Sequence, residues 1–174
     1  MERETRNVEK VRAMLFRNGK IAITQAPKSG TFMLPGGKLE LGETRKKALT
    51  REILEEQGIE INQDDIKGPF CQTIEKTEIE DESKKKIIKI TRTTFYLVVT
   101  TQDFDLEKMK LSPREKERGT KSYWINPAIL EYNLNVKKDK FKNQYAGRYA
   151  KQFLLVYSKL KEFIKNNEKE DICK

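Results

Sequence analysis

Three carboxylates share one edge of a short predicted helix, and their arrangement suits a divalent cation. Residues 51–59 read REILEEQGI. With about 3.6 residues per turn, Glu52, Glu55 and Glu56 fall within an arc of about 100° beside the apolar stripe of the helix. They also stand near its C-terminus, where the backbone carries partial negative charge. Mg²⁺ or Mn²⁺, which prefer oxygen ligands, would offset this repulsion, and such a cation implies a phosphorylated ligand.

A plainer interpretation of the same helix is a solvated, charge-rich surface. Glu43 with Lys47, and Arg51 with Glu55, have the i, i+4 spacing of ordinary surface pairs. Each such pair contributes only about 0.2–0.5 kcal/mol, and like charges at the same spacing cost a comparable amount. For the three acids taken together, we therefore favour the cation site.

The composition limits the chemistry that is open to the chain. Its 174 residues include no histidine and only two cysteines, Cys71 and Cys173, so imidazole catalysis and a disulfide framework are not expected. The formal net charge of +9 favours anionic partners. No segment resembles a signal peptide or a membrane span. We predict a single domain over residues 1–174 with a frayed tail at 170–174, a cytoplasmic location and no membrane contact, and the oligomeric state stays open.

The elements that must position the acids follow from periodicity and turn signals. Apolar residues at 11–16 and 21–24 flank Asn18-Gly19, which predicts an antiparallel hairpin. A loop at 27–31 and the extended FMLPGG precede a helix over 44–57 that Gly58 would end in the left-handed conformation. The runs PFCQTIEKTEI, KIIKITRTTFYLVVT and SYWI predict further strands, with a long connection at 102–121. A C-terminal amphipathic helix is predicted from the spacing of Tyr149, Phe153, Val156, Leu160 and Ile164.

The acids belong to a longer pattern that resembles a known family. Gly37, five residues, Glu43, seven residues and then REILEEQGI match every fixed position of the Nudix box, G-x5-E-x7-R-E-U-x-E-E-x-G-U, where U is aliphatic. FMLPGG before the box and SYWI after it also resemble Nudix proteins. The resemblance implies an α/β fold, an α/β/α sandwich around a mixed β-sheet. It also implies hydrolysis of a nucleoside diphosphate linked to another group, with Mg²⁺ or Mn²⁺.

The resemblance further implies roles for individual residues of the box. Glu55, Glu56 and the carbonyl of Gly37 would lie at the metal. Glu52 would be a metal ligand or the base that activates water, and Arg51 would orient a carboxylate. Glu43 would support the ligands, and Lys38 would neutralise phosphate charge, although Lys38 is equally well explained as a solvated loop residue.

The long connection at 102–121 offers three more acids, Glu107, Glu115 and Glu117. Of these, Glu117 best resembles the additional metal ligand of MutT-type members. The alternative is a charged surface loop, because SPREKERG is a mixed-charge segment of the kind that loops often carry.

The substrate is predicted from residues outside the acids. GGKLELGET resembles the MutT-like pattern, which makes a nucleoside triphosphate, ordinary or oxidised, the leading class. The region near Glu75 lacks the proline and the tyrosine that are frequent in ADP-ribose and diadenosine-polyphosphate members, respectively. Four aromatic residues are candidates for stacking on a base, with the core as their alternative role: Phe32, Phe95, Tyr96 and Trp124.

Two other functions remain open from the sequence. Capped or 5′-triphosphorylated RNA is a second class of substrate, and its contacts would be the basic residues Lys84, Lys85, Lys86, Lys137, Lys138 and Lys140. A Nudix-fold module that binds a nucleotide without turnover is the third hypothesis. Such a module would have lost acids of the box, and this chain has lost none.

Overall fold

The computed structural model describes residues 4–26, 31–80, 83–136 and 144–172. Six strands are present there: β1 Thr5–Arg17, β2 Lys20–Ala26, β3 Thr31–Met33, β4 Ile66–Glu80, β5 Lys86–Val99 and β6 Lys121–Ile125. The helices are α1 Arg45–Gln57, α2 Pro113–Glu117, α3 Pro127–Val136 and α4 Gln144–Ile172, with a 3-10 turn at Gln63–Asp65.

The six strands form one mixed sheet. Its order is β3-β2-β1-β5-β4, and β6 pairs along β2 on the edge opposite β1 and β3. β1 and β5 are parallel over twelve residue pairs, from Thr5 with Ile88 to Phe16 with Val99, whereas the other ladders are antiparallel. The predicted mixed α/β class is therefore confirmed.

Helices cover both faces of the sheet, which gives the three layers that the family resemblance implied. On one face, α1 buries Ala48, Leu49 and Ile53 among residues of β1 and β5. On the other face, α3 and α4 contribute a second buried cluster. β1 contributes to both buried clusters because its side chains alternate: Val11, Ala13 and Leu15 point to α1, while Met14 points to α4.

The elements that short sequence patterns predicted are present in the structure. Asn18 and Gly19 have φ of 48° and 72°, as a type I′ turn requires, and they join β1 to β2. β4 and β6 contain two of the predicted strands, and β5 contains the third except for its last residue, Thr100. In α4, Phe153, Val156 and Leu160 are buried as the apolar spacing indicated.

The structure also contains elements that the sequence did not predict, and some predictions concern residues outside the described part of the chain. The chain forms two helices that the sequence reading did not anticipate, α2 and α3. α4 continues to Ile172, so most of the predicted tail is helical here, and its fraying stays a prediction. Thr31, the last residue of the loop predicted at 27–31, begins β3 instead, and residues 27–30 lie outside the described residues, as do Lys137, Lys138, Lys140 and Cys173. In the part of the chain that the structure describes, no helix is long and apolar enough to cross a membrane.

Candidate active site

The helix that carries the acids is capped at both ends. At its start, the side chain of Thr44 accepts a hydrogen bond from the amide of Lys47 at 3.3 Å. At its end, Gly58 adopts φ 69° and its amide donates to the carbonyl of Leu54. Left-handed backbone favours glycine, so the box glycine closes the helix as predicted.

The long connection and the start of β6 satisfy the remaining carbonyls at the end of α1. Lys110 N–H donates to Glu55 O at 2.8 Å, and Asp105 N–H donates to Gln57 O at 3.2 Å. The hydroxyl of Ser122 lies 3.4 Å from Glu56 O. Residues 102–121 are thus docked on the C-terminus of the acid-bearing helix, where unpaired carbonyls would be costly.

The turn before α1 presses two glycines against their neighbours. The carbonyl of Pro35 accepts from the amide of Ala13, and that of Gly37 accepts from the amide of Val11, both at 2.9 Å. A Cβ on Gly36, whose φ is 128°, would collide with the backbone of Val11. A Cβ on Gly37 would occupy the space of the Glu52 carboxylate. Glycine at both positions is therefore what lets the turn contact β1 and the acids together.

Arg51 is the centre of the ion-pair network on α1. Its Nε and Nη2 donate to the two carboxylate oxygens of Glu43 at 3.0 Å each, a bidentate pair. Its Nη1 donates to Glu52 at 3.0 Å and to Glu55 at 3.2 Å, and Nη2 also reaches the carbonyl of Lys38. The hydrogen bonds from Arg51 lower the pKa of Glu43. Arg51 thus contacts both Glu43 and Glu52, and the supporting role of Glu43 and the orienting role of Arg51 stay predictions.

Glu56 is the buried acid of the three. It is 6% exposed, and its Oε2 accepts a hydrogen bond from the amide of Gly36 at 2.9 Å. Burial raises its pKa to about 7, and the charges of Glu52 and Glu115 act in the same direction. Burial also raises the pKa of Glu52. A cation beside these two carboxylates would favour their ionised forms.

The donor set fits a hard cation, although the side chains are not gathered around one point. The three acids supply only oxygen atoms, which suits Mg²⁺ or Mn²⁺. Within the described residues, however, no group of three or more His, Cys, Asp or Glu side chains is arranged to hold a metal ion. Glu52 and Glu55 are turned to Arg51 instead, and the carbonyl of Gly37 is hydrogen-bonded to Val11. Glu52, Glu55 and Glu56 are the residues that would hold the metal.

Of the three candidate acids in the long connection, Glu115 is the one whose charge affects the pKa of Glu56. Its charge contributes to the raised pKa of Glu56. Its carboxylate accepts from the amide and the hydroxyl of Ser112 at 2.7 and 2.6 Å, which fixes the start of α2. Glu117 lies exposed at the end of α2, and Glu107 is exposed as well. The role of Glu117 as a metal ligand stays a prediction.

The predicted substrate contacts are spread over both faces of the sheet. Phe32 packs on the α4 side, with its ring 6.2 Å from that of Phe153. Trp124 packs on the α1 side, stacked on Phe104 at 4.6 Å, and its indole N–H donates to Asp103. The structure therefore does not bring Phe32 and Trp124 together.

The remaining candidates divide between core and surface. Phe95 and Tyr96 are 0% and 5% exposed and belong to the two hydrophobic clusters, as the core alternative held. Lys38 has an exposed side chain and bridges to Lys10 through its backbone.

A cavity adjoins the buried carboxylate. It has a volume of about 310 Å³ and is formed by the long connection, the start of β6 and Glu56. Its lining is mainly apolar, with Phe104, Leu106 and Met109 from the connection. The sequence analysis did not predict this cavity, because its walls come from segments far apart in the chain. The apolar residues within the polar segment DFDLEKMKL were the available signal.

The reading also missed Arg12. Its guanidinium donates to the carbonyls of Leu34, at 2.6 Å, and Gly36, and its charge opposes the rise in the pKa values of Glu52 and Glu56. Basic residues at alternate positions of β1, Lys10 and Arg12, were the available signal.

A comparison with family models decides the affiliation of the chain. The model described as NUDIX domain matches residues 7–145, which is most of the sequence and includes every site residue discussed above. The chain belongs to the Nudix family. The predicted Nudix fold is thereby confirmed, and MutT-like proteins are among its relatives.

Individual Nudix relatives are similar over a short segment. A protein of Escherichia coli named CTP pyrophosphohydrolase is 42% identical over 57 residues, 30% of this chain and 42% of the relative. A Nudix hydrolase of Bacillus subtilis, YvcI, described as uncharacterized, is 39% identical over 57 residues, 33% of this chain and 36% of the relative. The matched segments thus span less than half of the length of these relatives.

One solved structure is similar to this protein over most of the chain. The solution structure of the Escherichia coli ORF135 protein matches with a TM-score of 0.54 and 20% identity, over 88% of this chain and 92% of that one. At this identity the similarity shows the fold alone.

Proposed function

We propose that the protein is a Nudix hydrolase that cleaves a nucleoside triphosphate, ordinary or oxidised, with Mg²⁺ or Mn²⁺. The observation that carries the proposal is the position of Glu52, Glu55 and Glu56 along one face of α1, with Glu56 held against the Gly36–Gly37 turn. A surface helix stabilised only by charge pairs would not bury a carboxylate whose pKa is raised to about 7. The complete box in a chain of this family supports the same conclusion.

Different side chains would have different roles in an in-line displacement at phosphorus. A bound divalent cation would supply positive charge to the diphosphate oxygens and lower the pKa of water. Glu52 would accept the proton of the attacking water, and burial raises its pKa, which makes the carboxylate a stronger base. Arg51 orients Glu52 through the 3.0 Å hydrogen bond between them. Arg12 places positive charge beside Gly36, next to the buried acid.

The cavity beside Glu56 supports a nucleotide as the substrate. Its volume of about 310 Å³ and its apolar walls suit a planar base, and Lys121, Ser122 and Tyr123 add polar groups to the lining. The relative named CTP pyrophosphohydrolase supports the nucleoside triphosphate class. We therefore expect the base to enter this cavity while the phosphates approach the acids of α1.

Substitution of the acids tests the proposal. We expect Glu55→Gln and Glu56→Gln to fold normally and to lose Mg²⁺-dependent turnover by about a hundredfold or more, because each removes a negative charge and one of the two carboxylate oxygens that could bind the metal. Glu52→Gln should lower kcat more than it weakens nucleotide binding, since the base acts in the transition state. Glu162→Gln, an exposed acid of α4, is the matched control and should retain activity.

The assay is release of pyrophosphate or monophosphate from a panel of substrates with Mg²⁺. The panel contains nucleoside triphosphates, dinucleotides, ADP-sugars and 5′-triphosphorylated RNA. Full activity in both Glu55→Gln and Glu56→Gln would refute the metal site, and loss of affinity without loss of kcat in Glu52→Gln would refute its role as base. No hydrolysis of any substrate by the unmodified protein would favour a nucleotide-binding module.

A further inference from the structure

The cavity at Glu56 has an aromatic wall that is supported from behind. Phe104, from the long connection, lines the cavity. Its ring is stacked on the ring of Trp124 in β6, with the centroids 4.6 Å apart and the planes inclined by 2°. Of this pair, only Phe104 lines the cavity. Trp124 therefore covers one face of the Phe104 ring, and the rest of the ring is what Phe104 presents to the cavity.

Four polar interactions hold the aromatic pair in place. The indole N–H of Trp124 and the amide of Phe104 both donate to Oδ1 of Asp103, each at 2.8 Å. Nη1 of Arg17 pairs with Oδ2 of Asp103 at 3.0 Å, and the Arg17 guanidinium lies 5.9 Å from the centroid of the Trp124 ring. The hydrogen bond from Trp124 is the main cause that lowers the pKa of Asp103. One carboxylate thus ties both rings to the end of β1.

The backbone next to Phe104 is attached to the helix that carries the acids. Asp105, the residue after Phe104, donates its amide to the carbonyl of Gln57 at 3.2 Å. Further along the connection, the amide of Lys110 donates to the carbonyl of Glu55 at 2.8 Å. The aromatic wall of the cavity therefore keeps a fixed position relative to α1.

A plainer role for the pair is to anchor the long connection on the sheet. The contacts of Trp124 with Phe104 and Asp103 suit that role. A ring that served only as an anchor would be covered on both faces, however, because exposed aromatic surface is unfavourable in water. Phe104 is half-buried instead and borders a cavity of about 310 Å³. Every nucleobase has an aromatic face that can stack on such a ring.

We propose that Phe104 is the surface on which the base of the nucleotide stacks, and that Trp124 is a positioning residue that holds Phe104 for this contact. The inference rests on the proposed function for the identity of the ligand as a nucleotide. It adds how the base is recognised: the ring of Phe104 contacts the face of the base, so the contact does not depend on which base is attached.

Binding of ligands with and without a base tests the role of Phe104. Affinities are measured by calorimetry with Mg²⁺ for non-hydrolysable triphosphate analogues of adenosine, guanosine, cytidine and uridine, and for the matching analogue of tripolyphosphate, which has no base. Phe104→Leu should weaken each nucleoside analogue about tenfold and leave the tripolyphosphate analogue within about twofold, because stacking is lost while the phosphate contacts remain. Phe104→Tyr keeps an aromatic ring and should retain the affinities within about threefold.

Substitution of Trp124 tests its positioning role. Trp124→Leu removes the ring behind Phe104 and should weaken the four nucleoside analogues about fivefold without affecting the tripolyphosphate analogue. In steady-state kinetics the same variant should raise KM and keep kcat within about twofold, since the acids are not disturbed. Trp124→Phe keeps a ring behind Phe104 and should retain the affinities within about threefold. Equal weakening of the nucleoside and tripolyphosphate analogues in Trp124→Leu would overturn the positioning role.

A matched control separates the cavity from a general loss of aromatic packing. Phe163→Leu is the same change in an aromatic pair on the other face of the sheet, where Phe163 lies 5.9 Å from Phe70, and it should leave all affinities unchanged. If Phe104→Leu is folded by circular dichroism and binds the four nucleoside analogues as tightly as the unmodified protein, the proposal is overturned. A loss confined to one base would also overturn it, because that would show recognition of an edge of the base.

Turnover distinguishes this inference from the proposed function. If the unmodified protein hydrolyses nucleoside triphosphates and Phe104→Leu has the same KM, the hydrolysis stands and the stacking role is overturned. If the unmodified protein hydrolyses none of them but Phe104→Leu loses affinity for all four nucleoside analogues, the proposed hydrolysis fails and the stacking site stands.

Discussion

Arg51 offsets the repulsion among Glu43, Glu52 and Glu55. It contacts Glu43, Glu52 and Glu55 at 3.0 to 3.2 Å, and its own side chain is 24% exposed. A bidentate guanidinium in a network stabilises more than isolated surface pairs do, and a lysine could not reproduce its fork. The box arginine is thus explained by geometry, because it is the one residue of α1 whose side chain reaches all three carboxylates.

Glu56 differs from the other acids because no cationic side chain forms a direct ion pair with it in the described part of the chain. Its folded-state pKa, about 7, lies above the ordinary value of 4.5. The folded protein therefore binds more protons than the unfolded chain between these values, and stability falls as the pH rises from about 4.5 through about 7. The unfavourable contribution is complete above pH 7 and amounts to about 3 kcal/mol at most.

We predict that Glu56→Gln is more stable than the unmodified protein at pH 8 without metal, and equally stable at pH 4.5. The amide keeps an oxygen for the Gly36 N–H but carries no charge to desolvate. Mg²⁺ should raise the Tm of the unmodified protein more at pH 8 than at pH 5, and should leave Glu56→Gln nearly unaffected.

Urea unfolding across this pH range, with and without Mg²⁺, measures both effects. Glu162→Gln serves as the control, because the same change at an exposed position should follow the unmodified protein. A constant free-energy difference between Glu56→Gln and the unmodified protein from pH 4.5 to 8 would contradict the burial of an ionisable acid.

At the scale of elements, α1 and the long connection form one unit. Asp105 and Lys110 cap the carbonyls of Gln57 and Glu55, and the backbone of Asp105 lies where a Cβ on Gly58 would be. Gly58 thus has two functions: it adopts φ 69° and it lets the connection approach. The connection in turn forms the walls of the cavity at Glu56.

We predict that Gly58→Ala lowers both stability and turnover. Left-handed backbone costs a residue with a Cβ about 1–2 kcal/mol, and the collision with Asp105 adds to it. Gly42→Ala is the matched control, since Gly42 has φ 77° and open space around its Cβ position, so only the backbone cost applies.

Chemical unfolding and steady-state kinetics of the two variants separate the contributions. Gly42→Ala should lose stability alone, whereas Gly58→Ala should also lose kcat/KM because the cavity at Glu56 is displaced. Identical behaviour of Gly42→Ala and Gly58→Ala would show that the approach of Asp105 has no role.

The elements that the sequence predicted are those with local signals. The hairpin at Asn18-Gly19 and the helix between Thr44 and Gly58 each carry their own start and stop residues. α3 also has such signals, because Asn126 caps it and Pro127 begins it. Its apolar residues Ile129, Tyr132 and Val136 are exposed, however, and this blurred the periodicity that marks a buried face.

At the scale of the whole molecule, the site depends on pairings that no local pattern reveals. The parallel register of β1 with β5 sets Lys10 beside Thr93, and the turn at Gly36 joins β1 to the acids. The box predicted which residues of α1 share a face, because helical spacing is a local property. It could not predict Arg12 or the cavity at Glu56, since each brings together segments that are distant in the chain.

The net charge of +9 bears on the choice between free nucleotides and RNA. A positive field attracts any polyanion, so affinity for RNA at low salt says little about function. A protein that contacts several phosphates of a strand loses affinity steeply as salt rises, because counterions are released on binding. A free nucleoside triphosphate, held by a cation and a few residues, should depend on salt less strongly.

We predict that kcat/KM for a nucleoside triphosphate exceeds that for 5′-triphosphorylated RNA at 200 mM KCl, a concentration at which nonspecific contacts to a strand are weak. Between about 50 and 200 mM KCl, RNA binding should fall at least about tenfold while nucleotide turnover changes by about twofold. The same RNA with a 5′-hydroxyl end is the control and should bind as well as the triphosphorylated RNA. If triphosphorylated RNA instead binds tighter than this control and is the better substrate at 200 mM KCl, its end is recognised specifically, and the RNA pyrophosphohydrolase alternative replaces the nucleotide one.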